Sequence, residues 1–399
     1  MRLLFVTYHF PPSRTARSLQ IGKLTRRLLE RGVELTVVTV DPNRVPADSV
    51  DASVGAWVRH DATRLMAIDS PRRTALDLAR VALTGQNHPG WTRGARRAAE
   101  RALRDGNFDA LVSFSMPIDS HFVGLDLKRR RPRMPWAAHF SDPWATNPFI
   151  GASAARRKLL QFHERRICAA ADRVLTVSEA ITEHFAERYG DSRRFRTLPH
   201  VYEPGDYPDR PPPKSGPIAL RYIGGFSSNR PPHALFEAVR QAKAAGADLN
   251  ALRVELIGIK MAGVAAGLNE IHAGLAVAPG AVAYEESLAL MRSAHALLLI
   301  DADQRFSPYF PSKLADYLGA ERPIVCVTPS HSYTTRLMKR FGGVCFDPLE
   351  TAAFARLLGE ICARGVTALP TPNGELIAEL RAERVAEQFE RLMREMIND

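Results

Sequence analysis

The stretch LLLIDADQRFSPYFPSKLADYLGAERPIVCV, residues 297–327, contains a complete strand–helix–strand unit. Its apolar runs Leu297–Ile300 and Ile324–Val327 are continuous, which is typical of strands buried on both faces of a parallel sheet. Between them, Lys313–Gly319 has the spacing of a helix with one apolar face. Two strands joined by a crossover helix predict parallel pairing with right-handed connections.

The same alternation runs along the whole chain and predicts an α/β protein of two doubly wound, Rossmann-like domains. Proline-rich sequence at 204–216 can continue neither a helix nor a sheet, so we expect a linker there. The remaining divisions are an N-terminal domain at 1–203, a C-terminal domain at 217–374 and a helix at 375–399 that packs back on the first domain. Open sheets of this class bind ligands at the carboxyl ends of their strands, which predicts a site in a cleft between the domains. The other predicted strands are Leu3–Tyr8, Leu35–Val40, Ala110–Phe114, Trp136–Phe140, Val174–Val177, Phe195–Leu198, Ala219–Ile223, Val254–Ile257 and Val344–Phe346.

Bulk composition places the chain among ordinary globular proteins with a basic surface. The 399 residues are 45% hydrophobic and carry a formal net charge of +11, a surplus that attracts phosphate groups. No apolar run reaches the roughly 20 residues of a transmembrane helix, and the start lacks a small-residue cleavage site, so we expect a cytoplasmic protein. The four cysteines form no C-x-x-C pair and are expected to be buried apolar residues.

Two segments have the features of phosphate-binding turns. The dinucleotide fingerprint G-x-G-x-x-G and the P-loop motif are both absent, which argues against a dehydrogenase and a P-loop nucleotidase. In the first segment a strand runs into Gly224-Gly225, whose backbone could approach an anion closely, and Arg230 follows.

The second segment begins the helix of the opening stretch. Ser312 is expected to cap that helix, whose free N–H groups and dipole favour a diphosphate. Lys313 and Asp316 are three residues apart and are expected on one face, beside a phosphate and a ribose diol respectively.

Several motifs in the right order resemble the GT-B fold glycosyltransferases of family 4, which are retaining enzymes. The resemblance is carried by Tyr8–Pro12, Ala171–Ala180, Leu220–Ala238 and Phe310–Val325, and it covers nearly the whole chain. It implies transfer of a sugar from a nucleotide-sugar donor, with UDP or GDP as the nucleotide, and no separate cofactor or bound metal. The family's two donor-loop glutamates are eight positions apart; Asp316 replaces the second, which binds the ribose, and Pro308 replaces the first.

The resemblance also implies roles for residues of the N-terminal domain. His139 and Asp142 follow the fifth predicted strand and would orient the acceptor hydroxyl, while preorganised charge stabilises the transition state. Pro11, Pro12 and Arg14 would form the acceptor-side loop. Asp301-Ala302-Asp303 has the spacing of a metal motif, but we interpret it as a strand end.

The basic N-terminal half predicts peripheral binding to the inner face of the cell membrane and a lipid-linked glycan acceptor, as in cell-surface polysaccharide assembly. Cations on the first helix and a later basic face are interleaved with apolar residues, a pattern that suits anionic headgroups. A soluble acceptor, a sugar-nucleotide epimerase and a degenerate GT-B nucleotide- or glycan-binding protein remain alternatives; a nucleic-acid partner is not expected, because no known module is present. The residues of this prediction are Arg14, Arg17, Lys23, Arg26, Arg27 and Arg31, then Arg93, Arg96, Arg97, Arg101 and Arg104, with Leu76, Leu78, Val81, Leu83, Trp91 and Leu103.

Overall fold

Two parallel sheets organise the chain, as the alternation of strands and helices predicts. The computed structural model describes residues 1–190, 192–225, 232–258, 260–305 and 307–399. The chain divides into two compact units, one made of Met1–Val201 with Ala382–Asp399 and the other of Tyr202–Arg381. Each unit contains one sheet, so each has the layers of a Rossmann-like domain.

The first unit has a seven-stranded sheet in the order β3-β2-β1-β4-β5-β6-β7, with every pairing parallel. The apolar runs of its central strands pack against helices on both faces. Its elements are β1 Arg2–Thr7, α1 Ala16–Glu30, β2 Glu34–Val40, α2 Ala52–Ala56, β3 Thr63–Ile68, α3 Ala75–Thr84, α4 Pro89–Asp105, β4 Ala110–Phe114, α5 Asp119–Arg130, β5 Trp136–Phe140, α6 Ala154–Ala170, β6 Arg173–Thr176, α7 Glu179–Tyr189 and β7 Phe195–Thr197.

The second unit has a six-stranded parallel sheet in the order β10-β9-β8-β11-β12-β13. A short 3-10 helix, Pro204–Asp206, interrupts the proline-rich stretch that precedes the sheet. The elements are β8 Ile218–Ile223, α8 His233–Ala244, β9 Leu252–Ile257, α9 Ala262–Ile271, β10 Ala276–Gly280, α10 Tyr284–Arg292, β11 Ala296–Ile300, α11 Ser312–Gly319, β12 Ile324–Val327, α12 Tyr333–Phe341, β13 Val344–Phe346, α13 Thr351–Arg364 and α14 Gly374–Ile377.

The strand order reverses once in each sheet. In the first unit β1 pairs with both β2 and β4, and in the second β8 pairs with both β9 and β11. The second sheet therefore has the Rossmann order, and its topological switch point lies between the carboxyl ends of β8 and β11, where ligands of this fold class bind.

The C-terminal helix differs from its predicted span. The sequence predicts one helix from Glu375, but the structure has α14, then a break at Arg381, then α15 Ala382–Asn398. Arg381 has an extended backbone and forms a bridge with Tyr202, whose N–H donates to the Leu380 carbonyl at 3.1 Å. The helix therefore starts only after this bridge, and Phe389 and Met393 of α15 are fully buried in the core of the first unit.

The cysteines are less uniformly buried than the sequence suggests. Cys168 and Cys326 are buried, whereas Cys345 and Cys362 are only partly covered, and all four are free thiols. Cys345 lies on β13 directly beside Cys326 of β12, at the edge of the sheet, which leaves one side of it open.

Candidate functional site

The carboxyl end of β8 forms a turn that requires glycine. Gly224 has φ +133°, and its N–H donates to the Ile257 carbonyl at 2.9 Å. A side chain at Gly224 would overlap the Lys313 ammonium, and one at Gly258, which has φ +142°, would overlap the Gly224 carbonyl. The ends of β8 and β9 therefore approach each other and Lys313 more closely than any residue with a Cβ would permit.

Lys313 connects the two predicted phosphate segments. Its Nζ donates to the Tyr222 hydroxyl at 3.0 Å and lies 4.1 Å from the centroid of the Tyr222 ring. The same hydroxyl donates to the Gly225 carbonyl at 3.2 Å. The cation is thus held at the Gly224-Gly225 turn. Tyr222 is a functional candidate that sequence reasoning treats only as a strand residue, because nothing in the pattern distinguishes it from the core.

The start of α11 differs in detail from the prediction. Pro311 occupies the cap position, and no side chain caps the helix; Ser312 is its first residue. The prediction of a Ser312 cap is therefore wrong, since the helix begins one residue earlier than expected. Its N-terminal N–H groups and dipole still lie beside Lys313. Arg230, the other predicted cation, lies outside the described residues.

Asp316 is buried against tyrosines. Its Oδ1 accepts from the Tyr284 hydroxyl at 3.1 Å, and its backbone carbonyl accepts from the Tyr207 hydroxyl at 2.8 Å. Burial, followed by the Asp316 charge, raises the pKa of both tyrosines well above 10, so both hydroxyls stay protonated donors at neutral pH. Lys313 and Asp316 therefore bind different tyrosines, and sequence reasoning missed Tyr207 and Tyr284 because they come from distant segments.

Asp301 is satisfied by hydroxyl groups and a backbone amide. Its Oδ2 accepts from Thr334 Oγ1 at 3.0 Å, and its Oδ1 accepts from the Ala302 N–H at 2.8 Å. Within the described part of the chain, no group of three or more His, Cys, Asp or Glu side chains could hold a metal ion.

In the first unit, His139 lies at the carboxyl end of β5 and is buried against Arg17. The Arg17 guanidinium donates to His139 Nδ1 at 2.6 Å and to the His139 carbonyl at 3.0 Å. Because a guanidinium can only donate, Nδ1 must be the acceptor and Nε2 carries the proton. Burial, followed by the Arg17 charge, holds the pKa of His139 well below 6.5, so the imidazole is neutral at physiological pH.

Arg17 is a further site candidate, which the sequence predicts only as part of the basic surface. Burial lowers the pKa of Arg17 to about 9, and the Asp142 carboxylate opposes that shift. The guanidinium therefore stays charged at neutral pH, with His139 against it and Asp142 within electrostatic range. Its position soon after the proline loop was a signal that could have suggested a role at the strand ends.

The proline loop packs on small residues. A Cβ at Gly22 of α1 would lie 2.8 Å from Pro11, and one at Gly55 would lie 3.1 Å from Pro12. Arg14 is half-buried, and its backbone N–H donates to the Ser49 carbonyl at 2.8 Å. Glycines on two helices thus allow the loop to lie close to the body of the unit.

The predicted basic surface is largely neutralised or buried. Lys23 is 2% exposed and donates to the Val201 carbonyl, while Arg31 pairs with Glu387 and Glu390 of α15. Arg93 pairs with the buried Asp77. Three other cations form ion pairs: Arg26 and Arg27 with Glu30, and Arg96 with Glu100 and Asp126. Three further members are buried, namely Arg17, Trp91 and Leu103.

Other members of the predicted basic surface do reach solvent. Arg97, Arg101 and Arg104 are exposed, and so are Leu76, Leu78 and Leu83. The helices among the described residues include none with the length and apolar character needed to span a bilayer.

Comparisons with known proteins agree with this architecture. Residues 18–200 match the family model described as a glycosyl transferase 4-like domain. Among solved structures, the lipopolysaccharide outer core galactosyltransferase WaaB aligns over 99% of each chain with a TM-score of 0.66 and 12% identity. Anabaena HepE in complex with UDP aligns over 99% of this chain and 100% of its own, with a TM-score of 0.67 and 12% identity.

A sucrose-phosphate synthase from Thermosynechococcus elongatus gives similar values. It aligns over 100% of this chain and 99% of its own, with a TM-score of 0.68 and 15% identity. No curated protein matches the sequence. Because these sequence identities are only 12–15%, the structural likeness shows the fold and not the function. Residues 18–200 therefore match a glycosyl transferase 4-like domain, and the chain has the GT-B fold over its length, in agreement with the resemblance indicated by its motifs.

Proposed function

We propose that this protein is a glycosyltransferase whose nucleotide-sugar donor binds to the unit Tyr202–Arg381. The observation that supports the proposal most strongly is the Lys313 ammonium, 3.0 Å from the Tyr222 hydroxyl and directly at the Gly224 turn. A cation, a glycine turn and a helix N-terminus at the carboxyl ends of neighbouring strands together suit a diphosphate. The family match over residues 18–200 supports sugar transfer as the reaction.

The donor's nucleoside would lie beside α11. Asp316, whose carboxylate accepts from Tyr284, is proposed to bind the ribose hydroxyls, with the tyrosine fixing the orientation of this short side chain. HepE has been solved in complex with UDP and with UDP-glucose, which supports UDP as the first nucleotide to test. GDP is the second.

The chemistry would depend on stabilising the departing diphosphate. As the bond between the anomeric carbon and the diphosphate oxygen breaks, Lys313 and Arg230 would offset the charge on that oxygen. With retention of configuration, the acceptor proton passes to the leaving phosphate, so no strong base is needed. A neutral His139, protonated on Nε2, fits a role in orienting the acceptor hydroxyl together with Asp142, and no metal takes part.

We further propose that the transferred group is a hexose and that the acceptor is a lipid-linked glycan of cell-surface polysaccharide assembly. WaaB, which shares the fold, is a lipopolysaccharide outer core galactosyltransferase. The exposed cations of the first unit support a location at the inner face of the cell membrane.

A thermal-shift screen against UDP, GDP, ADP and dTDP tests the donor assignment. A nucleotide at 100 times its Kd should add about 2.7 kcal/mol to the free energy of unfolding and raise Tm. We expect one or two of the four to do so, with the same shift when EDTA replaces added Mg²⁺. If none raises Tm at millimolar concentration, the assignment of the donor site is wrong.

A further inference from the structure

Helix α3 exposes apolar side chains on the whole of its outward face. Leu76, Leu78 and Leu83 are 62%, 57% and 68% exposed, and the alanines at 75, 79 and 82 are exposed between them. Asp77 is the helix's one buried residue. In a helix whose leucines stabilise the fold, the apolar face would be covered and the polar face would be exposed, so α3 has the reverse arrangement.

Polar contacts hold α3 in place instead of its leucines. Thr74 and Asp77 form a capping box at its start, and the Asp77 carboxylate pairs with Arg93 of α4. At the other end, the Arg156 guanidinium donates to the Val81 carbonyl at 2.6 Å and also to the Ala82 carbonyl. The leucine side chains are therefore presented outward by a helix that is fixed at both ends without them.

The neighbouring helix α6 continues this surface with an aromatic side chain and cations. Phe162 is 55% exposed, with the Arg166 guanidinium 5.3 Å from its ring centroid. Lys158 and Arg165 are exposed on the same helix. The two helices touch, since His163 of α6 hydrogen-bonds through Nε2 to the Leu83 carbonyl at 3.1 Å.

The charge on this surface has one sign. Both helices lie entirely within the described residues, and their only acidic side chains are Asp77 and Glu164, each 0% exposed. Glu164 accepts from the Trp144 N–H at 2.6 Å and the Ala145 N–H at 2.8 Å inside the unit. Arg72 and Arg73, just before α3, are exposed and add to the positive charge.

We propose that the exposed side chains of α3 and α6, hereafter the α3–α6 surface, dock on an anionic lipid bilayer. The leucines and Phe162 would enter the boundary between headgroups and acyl chains, while Arg72, Lys158 and Arg165 lie among the phosphates. This inference rests on the membrane location proposed above. It keeps the leucines of the sequence prediction but replaces the cations of α4 by those of α6 and the segment before α3, because Arg93 and Arg96 of α4 are paired with carboxylates. An apolar centre rimmed by cations favours a lipid surface over an acidic protein, for which charge alone would suffice.

Vesicle flotation with the full chain tests the inference. Wild type should float with phosphatidylglycerol–phosphatidylcholine vesicles at low salt, bind pure phosphatidylcholine far less, and lose part of its binding as salt is added. Leu76→Ser, Leu78→Ser and Leu83→Ser together should weaken binding by at least about tenfold, since burial of one leucine is worth about that factor. The matched control is Leu349→Ser, at an 88% exposed position of the other unit, and it should bind like wild type.

A second measurement of membrane docking uses a variant that keeps all the exposed leucines. Tryptophan introduced by Ala79→Trp should shift its emission to the blue and be quenched by brominated acyl chains on anionic vesicles, whereas Leu349→Trp should not. The inference is overturned if wild type fails to bind anionic vesicles, if the triple variant binds as well as wild type, or if Ala79→Trp is not quenched. Nucleotide binding, measured on the same samples, reports on the other unit, so failure of the proposed function would be seen separately.

Discussion

Replacing Lys313 with alanine removes the ammonium group that lies at the Gly224 turn. In the structure its Nζ is within hydrogen-bond distance of the Tyr222 hydroxyl and over the Tyr222 ring, and a nucleotide phosphate would add a charge-assisted hydrogen bond to the same atom. Such bonds contribute about 1.5–3 kcal/mol. We therefore expect Lys313→Ala to weaken binding of the preferred nucleoside diphosphate by roughly 10- to 150-fold.

Tyr222 provides a graded test of the same geometry. Tyr222→Phe keeps the ring under the ammonium but removes the hydroxyl that positions it, so we expect a loss of about 0.5–1.5 kcal/mol, smaller than that for Lys313→Ala. Lys214→Ala, at an exposed position of the same unit, controls for net charge and should leave the affinity unchanged.

Isothermal titration calorimetry with the nucleotide chosen by the thermal-shift screen measures all three variants. An affinity of Lys313→Ala equal to that of wild type would refute the assignment of Lys313 to the donor phosphates. A loss equal to that of Lys214→Ala would show that only the general electrostatic field had changed.

Three other predictions address the donor nucleoside, the strand ends and the histidine. In calorimetry, Asp316→Ala should weaken binding of the nucleoside diphosphate and leave binding of pyrophosphate unchanged, because the ribose is the proposed ligand of Asp316. Equal losses of affinity for both ligands would assign Asp316 to the phosphates or to the stability of the fold. Gly258→Ala should lower the free energy of unfolding, measured in urea, by more than about 2 kcal/mol, since its Cβ would overlap the Gly224 carbonyl. The control is Gly263→Ala on α9, where a Cβ would have no neighbouring atom within 4 Å; this change should be neutral or raise the free energy of unfolding by about 0.5–1 kcal/mol. Because burial and the Arg17 charge lower the pKa of His139 well below 6.5, the pH–rate profile of sugar transfer should show no titration of this histidine between pH 6 and 8; an inflection near 6.5 that His139→Gln removes would contradict the neutral assignment.

The interior strands could be predicted from the sequence, and so could the edge strands β7 and β13, but the edge strands β3 and β10 could not. Ala110–Phe114 and Trp136–Phe140 are continuous apolar runs because both faces are covered, and their predicted bounds are those of the structure. β3 and β10 lie at the edges of their sheets, where half of each strand faces solvent, and their sequences include Arg64 and Pro279. Without a continuous apolar run, neither segment stands out from a loop.

The candidate site could be predicted in its residue types but not in its contacts. The sequence indicated Lys313 and the Gly224 turn separately, and parallel topology explains why the ends of their elements meet. The pairing of Asp316 with Tyr284 is a long-range contact that no local pattern encodes. The basic surface was predicted from cations interleaved with apolar residues, and the structure differs because Arg17 and Lys23 of the first helix are buried.

Turnover of a nucleotide sugar by the purified protein tests the central claim most directly. The nucleotide selected by thermal shift is supplied as its glucose and galactose conjugates, with and without a lipid-linked glycan from a cell-envelope extract, and release of the nucleoside diphosphate is measured. We expect release that increases with the acceptor, persists in EDTA and falls sharply in Lys313→Ala. Binding of the nucleotide without release from any conjugate, with or without acceptor, would contradict the transferase and leave a nucleotide-binding protein of the same fold.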